Sequence, residues 1–143
     1  MMVKKLLGLA GLICILVPTL ALTDDATTLK EIMQGLRNNL VEISDGLLVD
    51  DFEQISRGAI AIAEHPRIPP AQVQLVAGEL GEEMPAFKRI DTLVHDLALE
   101  IDVAAKARNR NAAISGYAQL IEGCFACHAT YKDRVAGVLG ETS

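Results

Sequence analysis

The sequence predicts an all-α protein, an antiparallel four-helix bundle with mostly short connections. Three observations predict it. Apolar residues recur at alternating steps of three and four through most of the chain. No alternating β-branched run and no Asn-Gly hairpin signal occurs anywhere in it. Where the helical pattern fails, the chain carries prolines or a polar Asn-rich break.

Composition bounds the rest. The chain has 143 residues, half of them apolar, 3% aromatic with no Trp, and 22% charged. That is one domain's length with enough apolar material for a core, and it excludes intrinsic disorder. Thirteen Lys and Arg against 19 Asp and Glu give a net charge of −6, the wrong sign for a nucleic-acid binder.

Residues 1–21 read as a secretory signal peptide. Lys4 and Lys5 precede the apolar run Leu6 to Val17, Pro18 breaks it, and Thr19-Leu20-Ala21 offers small residues at a cleavage site. The alternative is an uncleaved anchor, since no charge appears from Leu6 to Thr23, near the lower limit for a spanning helix. Cleavage after Ala21 leaves a single periplasmic domain, 22–143, with 11 basic against 19 acidic residues, a net −8. It also discards Cys14, so Cys124 and Cys127 are the cysteines that remain.

The first helix is read from Leu29, Met33, Leu36, Leu40, Ile43 and Leu47, one stripe of about five turns behind Asp24, Asp25 and Thr27 as capping residues. The second follows Asp50 and Asp51 as Phe52, Ile55, Ala59 and Ile62, with His65 in its last turn and Pro66 as its stop. Pro66 to Pro70 is a loop, and Gly78 and Gly81 weaken any short helix over 71–84. Pro85 opens the third helix, with Phe87, Ile90, Val94, Leu97, Ile101 and Ala104 as its stripe. Arg108 to Asn111 is the next turn. The fourth stripe is Ala113, Tyr117, Leu120, Cys124, Cys127 and Tyr131.

That last stripe carries the chemistry. Cys124-Phe125-Ala126-Cys127-His128 is the Cys-x-x-Cys-His pattern of covalent c-type haem attachment. Residues three apart on a helix share a face, so both sulfurs reach the two vinyl groups of one porphyrin. His128 lies one turn beyond Cys124, where its imidazole reaches the iron. A thioredoxin-like dithiol would need a strand before the motif. Zinc would need a fourth ligand, for which only His65 or His95 offers itself.

Signal peptide, four amphipathic helices and a Cys-x-x-Cys-His in the last of them together resemble the cytochrome c prime family, the class II c-type cytochromes. His128-Ala129-Thr130-Tyr131-Lys132 adds to the likeness, because the family follows its haem histidine with two residues, an aromatic and a base. The resemblance spans the mature chain and implies one haem c on the last helix, with His128 as proximal ligand. It implies a function without substrate chemistry of its own, and in many members a homodimer through the first two helices.

The resemblance divides on the sixth iron position. Low-spin relatives place a methionine of the first helix there and carry single electrons, the expectation here, with Met33 as the ligand. Members with an open site, shielded here by Leu29 or Met33, bind nitric oxide or carbon monoxide. Lys132 is the first candidate for pairing with haem propionates, ahead of Arg110 and Arg134. Gly116 and Gly123 invite close approach of another helix or of the porphyrin. The net acidity leads one to expect a redox partner with a basic docking face, no nucleic acid, and membrane contact only if the signal segment is kept.

Overall fold

A computed structural model describes residues 27–141; the expected signal peptide lies outside them. The described chain is all-α. Its helices are α1 (Leu29–Val49), α2 (Phe52–Ala63), α3 (Pro70–Leu80), α4 (Met84–Lys106) and α5 (Arg110–Val138), with a single 3-10 turn, Gly81–Glu83, between α3 and α4. No strand occurs among the described residues.

Local chemistry sets the boundaries. Thr28, rather than the acids before it, caps α1: its hydroxyl accepts the Glu31 N–H while the Glu31 carboxylate accepts the Thr28 N–H at 2.8 Å. The Thr28 N–H and the Thr28 hydroxyl, both donating to the Glu31 carboxylate, hold that carboxyl below its ordinary value. Asp50 ends α1 in a left-handed conformation and Asp51 at once caps α2, accepting the Gln54 N–H at 3.0 Å. Asn109 caps α5 in the same way through Ala112.

The weakened segment is a helix after all. Pro70 starts α3, the exposed Gly78 is tolerated within it, and Gly81, at φ +50°, ends it. Val76 and Leu80 give α3 a buried side that two glycines do not cancel.

Packing follows chain order: α1 on α2, α2 on α4, α4 on α5, while α1 and α5 touch sparsely. The α1–α2 and α4–α5 contacts are built on glycines. A Cβ on Gly46 would stand 2.9 Å from the Ile55 side chain, and one on Gly58 would stand 2.8 Å from Ile43, so each of α1 and α2 receives an isoleucine of the other. Gly116 receives Ile101 and Gly123 receives Val94, seven residues apart on both helices, which sets α4 and α5 antiparallel. On α4, the buried Asp102 takes the Ser56 hydroxyl of α2 at 2.5 Å and the Lys106 ammonium at 2.6 Å.

The core is in two parts. The larger joins Ile43, Ile55, Ile62, Leu97, Ile101 and Leu120 with their neighbours, and Leu36, Leu40 and Val94 pack on its edge. The smaller joins Leu29, Val76, Leu80, Tyr131 and Val135, with Phe87, Ile90 and Cys127 against it. Between them lie Ile32 and Met33 on α1 and Gly123 and Cys124 on α5.

Candidate haem-attachment site

The motif sits in unbroken helix, because Gly123 is held by α4 and Tyr131 anchors the next turn. The Tyr131 ring meets Phe87 of α4 edge-on, with centroids 5.4 Å apart. Arg134 then ties α5 down, donating to Glu79 at 3.1 Å and Glu83 at 2.9 Å, and those carboxylates raise its pKa. Between these anchors Cys124 and Cys127 are half-buried free thiols, His128 is exposed, and Phe125 is 70% exposed.

Burial pushes both thiols above their ordinary value; for Cys127 the Asp91 carboxylate and the Cys124 sulfur add to it. Both therefore stand protonated at neutral pH. Asp91 lies next to the motif from α4, a neighbour that sequence spacing alone did not single out. His65 of the α2–α3 loop approaches the same carboxylate, with Nε2 4.0 Å from it and Nδ1 2.8 Å from the Pro66 carbonyl. His65 thus lies beyond α2, not in its last turn.

The site faces the seam between α1 and α5. The Tyr117 hydroxyl donates to the Leu40 carbonyl at 3.3 Å, and Arg110 pairs with Asp50 farther up. Tyr117, Ile121, Cys124 and His128 follow one another at helical spacing, so the motif continues the row that begins at the α1 contact. Met33 lies seven residues before Leu40, and Cys124 seven after Tyr117. On antiparallel helices both steps run the same way, about 10 Å from the shared cross-link. Met33 and Cys124 stand at one level of the seam.

Met33 does not join the buried stripe. It is 37% exposed, whereas its neighbour Ile32, outside the expected stripe, is 2% exposed. α1 and α5 touch only sparsely, which leaves the seam side of α1 exposed. Leu29, one turn earlier, is buried in the smaller core.

Of the three bases considered for propionates, Arg110 and Arg134 are engaged by Asp50 and by Glu79 with Glu83. Lys132, one turn beyond His128, is exposed and has no ion-pair or hydrogen-bond partner among the described residues. His95 pairs with Asp96 at 3.1 Å, and Met84 packs on the smaller core. Among the described residues no three His, Cys, Asp or Glu side chains converge on a point that would hold a metal.

The residues present fit a covalently tethered haem. Two free thiols and an imidazole share one helix face, level with a break in the core and beside a sparsely packed seam. Compared with protein-family models, with curated proteins and with solved structures, the chain finds no match.

Proposed function

We propose that the chain is an exported monohaem c-type cytochrome that carries single electrons. The observation that carries the reading is the coincidence of Cys124-Phe125-Ala126-Cys127-His128 with the level at which the core divides. Bound haem would supply an iron that alternates between ferric and ferrous states. Cys124 and Cys127 would hold it by thioethers, and their raised pKa keeps both as thiols until attachment. His128 would ligate the iron from α5, and Met33 from the far side of the seam. Lys132, exposed one turn beyond His128, would pair with a haem propionate. The smaller core and the Phe87–Tyr131 contact keep the inner side of the site apolar. In this reading the four long helices form the antiparallel bundle of the resembled family, and α3 closes its lower end.

The spectrum of the haem-loaded protein tests the electron-carrier reading. Met33 as ligand gives a low-spin, six-coordinate iron that binds carbon monoxide slowly. Met33→Ala and Met33→Leu both turn it high-spin and speed gas binding, and Leu keeps most of the packing volume. A native protein that is already high-spin and five-coordinate makes Met33 a shield, and the gas-binding alternative replaces electron carriage.

A further inference from the structure

The surface on either side of the motif seam is chemically unlike the rest of this acidic chain. Helical spacing sets Lys30, Arg37 and Val41 of α1 along the same edge as Met33, and Phe125 and Lys132 of α5 along the facing edge. All six are exposed. None of the three bases forms an ion pair among the described residues.

The acids of both helices turn elsewhere. Glu31 is held by Thr28, and Glu42 faces Arg57 of α2. Glu122 lies in the groove toward α4 with Leu93 and Leu97, and Asp133 falls about 140° around α5 from His128. Asp45, the acid of α1 closest to this edge in angle, stands one turn beyond Val41 and about 18 Å along the helix from Met33. A chain of net charge −6 thus presents a cationic, apolar face around its candidate redox site.

We propose that this face docks an electron-transfer protein whose own interface carries carboxylates around an apolar centre. The proposal rests on the cytochrome reading above and names the partner of that same site. Lys30 and Arg37, two turns apart, flank the Met33 position and offer fixed positive charge, while Val41 and Phe125 offer the dry contact. The net charge alone points to a basic partner; the local distribution points to an acidic one. Three bases fall short of the four to eight that hold a protein on an anionic bilayer. A second copy joined symmetrically here would set like charges against each other.

Stopped-flow mixing of the oxidised haem-loaded protein with a reduced, acidic plant-type [2Fe–2S] ferredoxin tests it, with covalent haem content and spectrum measured on every sample. One electron leaves the ferredoxin cluster and reduces the ferric protein. The second-order rate falls about tenfold between roughly 20 and 200 mM salt. The double variant Lys30→Glu, Arg37→Glu lowers the low-salt rate about tenfold and flattens its salt dependence, with haem content and spectrum unchanged. A rate that is flat or rises with salt, or a variant that matches the parent, overturns the docking face. Haem loss in the variant assigns the two bases to the cofactor, and a dimer that the variant abolishes assigns the face to a second copy; either overturns the proposal. Vesicles of anionic phosphatidylserine that bind the parent and not the variant overturn it in favour of a membrane. A parent purified with no covalent haem overturns the cytochrome reading itself.

Discussion

At the scale of single residues, the two motif cysteines are the most informative groups. Burial raises both thiols, and Asp91 disfavours the Cys127 thiolate further. Since the thiolate is the nucleophile, a haem-free chain should react with iodoacetamide at pH 8 more slowly than free cysteine, and Asp91→Asn should speed Cys127. Peptide mapping of alkylated sites measures both. The same shift has a sign for stability. A thiol whose pKa is raised by folding leaves stability intact below its unfolded value and costs stability as pH rises toward the folded one. The haem-free chain should therefore melt progressively lower above about pH 9, the ordinary thiol value. A melting temperature flat in that window would mean that the thiols are as free in the folded state as in the unfolded. Met33 shows what spacing cannot give. Its place on the three-and-four pattern was legible, but its exposure depends on how sparsely α5 packs on α1, a fact of tertiary packing.

At the scale of elements, four stripes, the second cap at Asp51 and the motif's place inside the last helix were all legible from periodicity and capping chemistry. Two things were not. The helix α3 was obscured because Gly78 lowers propensity, and propensity yields to tertiary burial of Val76 and Leu80. The close approach of α1 and α2 was also hidden, since Gly46 and Gly58 read as ordinary glycines until the isoleucines opposite them are placed. Gly58→Ala puts a methyl 2.9 Å from the Asn39 carbonyl oxygen as well as against Ile43, and backbone does not give way cheaply. It should cost about 1–3 kcal/mol by overpacking. Gly35, also in α1, has nothing within 4 Å of such a methyl, so Gly35→Ala should gain about 0.5–1 kcal/mol. Urea denaturation of the pair decides it, and equal effects would contradict the interlock. Thr28→Ala removes the capping box and should cost about 1 kcal/mol at neutral pH. Because Glu31 is held below its ordinary 4.5, its share of that cap is present above that value and lost as pH falls through the folded one.

At the scale of the whole molecule, the core divides at the level of the motif, where the proposed haem would join its two parts. The larger core joins α1, α2, α4 and α5 through isoleucine and leucine contacts; the smaller depends on α3, Leu29 and the end of α5. Hydrogen exchange on a chain made haem-free by Cys124→Ala with Cys127→Ala should show amides of 29–33 and 123–135 opening first, while those around Ile43, Ile55 and Ile101 stay protected. Uniform exchange would mean the two parts unfold as one and the haem bridges nothing. Covalent haem on α5 is read out by the intact mass of the denatured protein, expressed with c-type haem maturation. The expected mass is the mature polypeptide plus one haem that acid and organic solvent do not remove, with the added mass mapping to the peptide that holds both Cys124 and Cys127. A polypeptide at its bare mass, with haem free in solution or absent, would contradict it.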